Sequence, residues 1–379
     1  MTQAATVPEG VLTVAVVRKD DPDLRVLDCE ALLNSDLVAL RDETWWSGVR
    51  AGQLPLEWQG LALRVVPGPR AGPCFRGFSL ELSDPRHRYA HRFSIYSLRD
   101  TAQRAIARLL KQKVLEADDT VNYYLTALPQ AGGNGDPDGS GPGNGKSSGG
   151  ATAIKVKPRS QGLVLDEASL EKYLAASAPL TAGWATPPDP SDPQKSSAMT
   201  VLFERDAWEL GYRFARRGKE VESAAVWTGR LLRDTASSEV FMLVEWAIEA
   251  RDAAEDRYSV MFSGETWARV RAQLDERRKR LHRPHEIILG SVHGHNFTPA
   301  ADEDGHQACE DCELRATCLH TTAVASALDI QWHKSVFVGQ PYAILGIWGW
   351  TARGEEVWQL YGLADGTLAP RGARVLCRA

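Results

Sequence analysis

The sequence predicts an α+β protein in two parts, a smaller N-terminal α+β domain and a larger C-terminal α/β domain joined by a glycine-rich linker. Three observations carry this expectation. Residues 132–150 are almost all Gly, Pro, Ser, Asn and Asp, so they cannot bury a core and read as a flexible connection. On both sides of them, segments that alternate with period two are interleaved with segments of helical period. The length, 379 residues, suits two domains better than one. The expected boundaries are 1–130 for the N-terminal domain, 131–198 for a linker that includes a second Pro- and Ala-rich stretch, and 199–379 for the C-terminal domain.

In chain order, residues 11–17 read as a strand, and 78–82 and 93–97 alternate as half-buried strands do. His87, Tyr89 and His91 then fall where a hairpin connection is expected. Ala102, Ala105, Ile106, Leu109, Leu110 and Val114 recur at helical spacing. Cys74 follows a Gly-Pro loop, but a lone cysteine with no identifiable base reads as inert. Residues 166–175 form a short helix within the linker. The C-terminal part continues with a helix over 203–217 and strands over 223–232 and 240–248. Ser263 caps a helix running to Arg280, with Trp267, Val270 and Leu274 on one face. A buried strand follows over 287–292, then a helical pattern from Ala323, then strands 342–350 and 356–361 joined around Arg353-Gly354.

Composition narrows the function classes. Hydrophobic residues are 43% and charged residues 25%, ordinary for a soluble globular protein. No apolar run is long enough to cross a bilayer, and the first residues show no basic segment followed by an apolar one, so a cytoplasmic protein without a membrane partner is expected. A net charge of −5 gives no reason to expect nucleic acid. The run Arg277, Arg278, Lys279, Arg280 sits at a helix end, where cations suit the dipole, and reads as solvated. The twelve tryptophans read as core and interface filler. Of six cysteines, Cys29, Cys74 and Cys377 are scattered, while Cys309, Cys312 and Cys318 lie together. Without an export signal, such close spacing reads as metal binding before disulfide.

His293-Gly-His295 follows a strand, and residues i and i+2 of extended chain point to one face, so two imidazoles can hold one ion. Downstream, Ser326 and Asp329 stand in a helical pattern at i and i+3, which places a third ligand, Asp329, one turn from a hydroxyl. Three protein ligands with a fourth position left open is the arrangement of a catalytic zinc. Glu222, at the opening of the strand over 223–232, is the candidate general base.

Taken together, a glutamate opening a strand that reaches Gly229, then a helix, then a strand ending His-x-His, then Ser-x-x-Asp resembles the JAMM (JAB1/MPN/Mov34) metalloprotease signature over roughly residues 201–368. The resemblance implies an MPN-type, cytidine-deaminase-like α/β fold and a zinc-dependent isopeptidase of the bacterial type that accompanies ubiquitin-like conjugation systems. By carry-over, His293, His295 and Asp329 would bind Zn2+, Glu222 would be the acid/base, and Ser326 would hydrogen-bond the oxyanion. The implied partners are a ubiquitin-like protein or its conjugates, with E1- or E2-like enzymes as further candidates and the N-terminal domain binding substrate or partner. Two departures stand out. The family usually has proline after the second histidine, where this chain has Asn296. The gap from His295 to Ser326 is also far longer than usual, with an insertion over 299–321 that holds His306, Cys309, Cys312, Cys318 and His320. Cys309-x-x-Cys312 with Cys318 and either His306 or His320 would make a closed Cys₃His site for a second, structural Zn2+; an iron–sulfur cluster or three free thiols are the alternatives.

Other classes remain open. A non-catalytic MPN scaffold usually lacks the metal ligands, which are all present in this chain. A zinc module for nucleic acid sits badly with the acidic balance. A zinc deaminase needs His-x-Glu ahead of Cys-x-x-Cys, and His293-Gly-His295 has histidine where the glutamate belongs.

Overall fold

The computed structural model describes residues 13–19, 25–32, 34–56, 61–71, 74–75, 77–116, 119–126, 163–180, 199–218, 221–251, 253–255, 260–296 and 321–377. The chain forms a mixed α+β structure in two compact units, Met1–Gln161 with Asp365–Thr367, and Gly162–Ala364 with Leu368–Ala379.

The first unit holds β1 (Thr13–Arg18), β2 (Val26–Ala31), α1 (Asn34–Arg50), β3 (Ala62–Pro67), β4 (Arg70–Ala71), β5 (Cys74–Phe75), β6 (Gly77–Ser83), β7 (Arg88–Ser94), α2 (Arg99–Lys111) and β8 (Val121–Thr126). One sheet runs β2-β1-β8-β5-β4 and a second β3-β6-β7, with antiparallel pairings. Val14, Phe78, Leu80, Phe93, Ala102 and Leu125 meet in its main core, as the alternation of β1, β6 and β8 and the apolar stripe of α2 require. Arg108 of α2 pairs with Asp28 and Glu30 of β2.

Two details differ from the sequence reading. Tyr89 and His91 are strand residues of β7, not a connection; the turn lies before them, where the Asp84 carboxylate accepts the N–H groups of Arg86 and His87. Residues 95–98 turn into a 3-10 helix instead of continuing a strand. Cys74 lies in β5, and Cys29 on β2 is half-buried, its thiol pushed up by burial first and by Asp28 second.

The second unit is built on one large sheet. Its elements are β9 (Asp166–Ala168), α3 (Leu170–Ala175), β10 (Ser177–Pro179), β11 (Val201–Phe203), α4 (Arg205–Ala215), β12 (Ala224–Asp234), β13 (Val240–Glu249), β14 (Ala254–Glu255), β15 (Val260–Met261), α5 (Gly264–Arg280), β16 (Ile287–Gly294), α6 (Ala327–Val336), β17 (Ile344–Trp350), β18 (Glu356–Ala364), β19 (Thr367–Arg371) and β20 (Arg374–Leu376). The order is β10-β20-β11-β13-β12-β16-β17-β18-β19, with β9 added parallel to the end of β12. β12 is antiparallel to both β13 and β16, and β16 is parallel to β17.

Helices cover both faces. The ring of Trp227 lies against Gly211 of α4, where any side chain would clash with the indole. Its neighbour Val226, pointing to the opposite face, packs with Val270 and Leu274 of α5. β12, β13 and β16 between them are almost wholly buried, as expected of strands sandwiched by helices. Among the described residues, no helix is long and apolar enough to cross a membrane.

The expected linker over 131–198 is structured in its middle. Residues 163–180 supply β9, α3 and β10 to this sheet, and Ser169 caps α3 while Asp234 accepts the Leu170 N–H at 2.8 Å. Phe203 closes a strand, and the helix expected from it starts at Arg205. The basic run ending α5 is only partly a solvated end. Arg277 is buried over the Trp246 ring with its Nε 3.0 Å from Glu286, and Arg278 donates to the Glu286 carbonyl at 2.6 Å. Ser263 does cap α5, through a reciprocal pair with Thr266.

Candidate metal centre

The site begins with register. Ala224 of β12 faces His293 of β16, so continuing the antiparallel pairing two residues outward sets Glu222 opposite His295. The bond from Gly294 N to Ser223 O, 3.0 Å, extends the pairing in that direction. β16 is parallel to β17, and His295 N closes onto Trp348 O at 2.8 Å, which holds the second histidine in extended conformation just past the strand end. The two imidazoles therefore emerge on one face, their Nε2 atoms 3.0 Å apart.

Asp329 arrives from the other side, on α6. Ser326 is the N-cap of that helix and not a residue within it. Its Oγ accepts from Asp329 N at 3.2 Å while the Asp329 carboxylate accepts from Ser326 N at 2.7 Å. The Ser-x-x-Asp spacing thus works as a capping box, and the helical pattern expected from Ala323 starts only at Ala327. The box fixes the carboxylate so that Oδ1 lies 3.2 Å from His293 Nε2 and Oδ2 3.6 Å from His295 Nε2. Glu222 Oε1 stands 3.7 Å from His295 Nε2. Glu222, His293 and His295 are buried, at 3%, 4% and 5% exposure, and their donor atoms lie within 4.8 Å of one another.

These residues could hold a metal ion, with a different Asp329 oxygen facing each imidazole. Ligands about 2.0–2.1 Å from a tetrahedral ion are separated from each other by roughly 3.3–3.4 Å. The separations among His293, His295 and Asp329 are 3.0, 3.2 and 3.6 Å. The tautomer fits as well. His295 Nδ1 lies 2.6 Å from the Thr322 carbonyl, which can only accept, so the ring proton is held on Nδ1 and the Nε2 lone pair is left for a cation. Two imidazoles and a carboxylate are the donor set of a divalent transition ion.

The same groups are coupled electrostatically. Burial raises the Asp329 carboxyl, but the two imidazoles beside it outweigh that and hold it well below the usual carboxylate range. Burial pulls His293 down, with Asp329 opposing. Burial also pulls on His295, but Asp329, Glu222 and the Thr322 carbonyl together leave it raised.

All five residues expected to carry chemistry, Glu222, His293, His295, Ser326 and Asp329, are thus gathered at one end of β12, β16 and α6. His306, Cys309, Cys312, Cys318 and His320, the candidate second site, lie outside the described residues. Three contributors were missed. The Thr322 carbonyl sets the His295 tautomer, and a backbone acceptor leaves no trace in residue type. Ser223 Oγ accepts from Gly218 N at 3.0 Å and lies 2.9 Å from the carbonyls of both Phe214 and Ala215, tying the Glu222 segment to the end of α4. Asn296, which in sequence marks only a missing proline, donates its amide to the Val221 carbonyl.

No family model matches this chain, and no curated protein matches it. Among solved structures it aligns with the solution structure of protein DSY2949 from Desulfitobacterium hafniense, at 15% identity over 47% of this chain and 94% of that one, with a TM-score of 0.30. A likeness that slight carries nothing about function.

Proposed function

We propose that the second unit is a JAMM-type zinc hydrolase with an MPN-type fold, acting on the peptide or isopeptide bond at the C-terminal end of a ubiquitin-like protein. The observation that carries the proposal is the triangle of His293 Nε2, His295 Nε2 and Asp329 carboxylate, with Glu222 buried beside it. The order of these residues along the chain is that of the family signature read from the sequence.

In this reading His293, His295 and Asp329 hold the ion. When bound, zinc lowers the pKa of a coordinated water toward neutrality and polarises a carbonyl. Glu222 takes the proton of the attacking water and returns it to the departing amine. Its burial against His295 suits that exchange, because little bulk solvent competes for the proton. Ser326 Oγ accepts from Asp329 N, which leaves its O–H to donate to the oxyanion as the carbonyl carbon becomes tetrahedral. One such donor contributes about 3 kcal/mol to a transition state.

The test pairs metal content with cleavage of a ubiquitin-like C-terminal fusion. Glu222→Gln is expected to keep one equivalent of zinc at this site and lose cleavage, whereas His293→Ala and Asp329→Ala lose both. Full activity in Glu222→Gln would remove it as the base. A wild-type chain without metal would remove the enzyme and favour a scaffold.

A further inference from the structure

Glu222 is close enough to the ligands to be mistaken for one. Its donor atom lies within 4.8 Å of both imidazoles, and its 3.7 Å separation from His295 Nε2 exceeds the edge of a zinc tetrahedron by only a few tenths of an ångström. A carboxylate that close would take the fourth coordination position unless something held it back. The segment that carries it is held on both sides. Ahead of it, the Val221 carbonyl accepts the Asn296 amide. Behind it, Ser223 Oγ joins Gly218 N to the Phe214 and Ala215 carbonyls at the end of α4.

The Asn296 side chain occupies a slot that only glycines leave open. A Cβ on Gly218 would lie 3.0 Å from Asn296 Nδ2 and 2.1 Å from the Val221 carbonyl oxygen. A Cβ on Gly294 would lie 3.1 Å from Asn296 Oδ1 and 2.2 Å from the Ala215 carbonyl oxygen. Asn296 directly follows the ligand His295, so one short stretch fixes both a ligand and the backbone beside the base.

Resting on the proposed zinc chemistry, we infer that Asn296, with Ser223, is a positioning residue that keeps Glu222 out of the metal's ligand set and so free to carry protons. Release of the clamp lets the carboxylate close onto the ion as a fourth ligand. The consequence runs opposite to ordinary damage, since a loosened site binds metal more weakly, whereas this one gains a ligand and binds more tightly.

The test measures zinc affinity of the full chain by chelator competition, with Co2+ absorption as a second reading of coordination. Wild type, Asn296→Ala, Glu222→Gln and the double variant are compared. Asn296→Asp, which keeps the shape and removes the donor, and Ser223→Ala, which releases the other side, carry the same test if the alanine is insoluble. The expected result is a Kd for Asn296→Ala about ten-fold lower than wild type, similar in size but opposite in sign to the usual loss on changing an outer-shell partner. The Co2+ spectrum changes with it, and both effects vanish in the Glu222→Gln background. Cleavage falls through kcat while KM holds. Weaker or unchanged metal binding in Asn296→Ala, or tightening that persists in the double variant, overturns the inference. Wild-type chain that binds no metal overturns the zinc reading and the inference together. Tightening that depends on Glu222 in a chain that cleaves no ubiquitin-like fusion upholds the clamp and refutes only the proposed substrate.

Discussion

Acid should weaken the second unit through a histidine that takes no part in the proposed chemistry. His333 of α6 is fully enclosed; burial first, and Lys334 second, pull its pKa down to about 3, although the ring also reaches the Ala343 backbone. Its ordinary value is 6.5. Between those two values the unfolded chain binds a proton that the folded chain refuses, so stability rises with pH and is lost as pH falls from 6.5 toward 3. At pH 5 the difference is about 1.5 pKa units, or roughly 2 kcal/mol, and it approaches about 5 kcal/mol below pH 3. The perturbation is His333→Leu, which removes the titrating ring. Its cost at neutral pH is modest, because Nδ1 of His333 is buried with no partner among the described residues. Urea unfolding of wild type and variant at pH 7.5 and pH 5 isolates the contribution, since every other titrating group is common to both. Wild type is expected to lose about 2 kcal/mol more than the variant over that interval. Parallel losses in the two proteins would refute a neutral, buried His333.

Two further outcomes follow from other parts of the chain. Arg277→Met strips the partner from Glu286, which is fully buried and also accepts from Thr228 at 2.7 Å; a loss of about 3–5 kcal/mol in chemical unfolding is expected, recovered in part by adding Glu286→Leu, and a loss under 1 kcal/mol would show that the carboxylate is not confined there. Cys309→Ser with Cys312→Ser should lower bound metal by one equivalent in elemental analysis while His293, His295 and Asp329 keep theirs; unchanged metal content would mean that these cysteines hold none.

Legibility varied with how far a residue's role is local. α5 could be read almost to the residue, because Ser263 caps it, its apolar positions keep helical spacing, and its last turn is basic. The helix α1 went unread, though it has 17 residues. Its interior buries Asp36, Arg41, Asp42, Glu43 and Thr44 beside Trp45 and Trp46, so no clean apolar stripe marks it. β9 and β10 are three residues each, too short to show a period, and exist because strands elsewhere in the chain pair with them. The same division runs through the site. His293, His295, Asp329 and Glu222 announce themselves by side-chain chemistry, whereas the acceptor that orients His295 is a backbone carbonyl.

The gap between His295 and Ser326 is far longer than the family pattern has, yet the two ends meet. The attachments at its far end explain why. Thr322 N donates to Trp350 O at 2.9 Å, and Trp350 N donates back to Thr322 Oγ1 at 2.8 Å. Gly349 makes the approach possible, since a Cβ there would lie 2.4 Å from that same oxygen. The Tyr361 hydroxyl donates to Ala323 O at 2.9 Å. The returning chain is therefore fastened to β17 and β18 before α6 begins, and the capping box carries that placement to Asp329. At the near end His295 N is fastened to Trp348 O of the same β17. His295 and the segment leading to Asp329 thus take their positions from one strand, whatever lies between them. Closing a longer loop costs only about 0.6 kcal/mol for each doubling of its length, so a sheet anchored in this way tolerates a large insertion without moving His295 or Asp329.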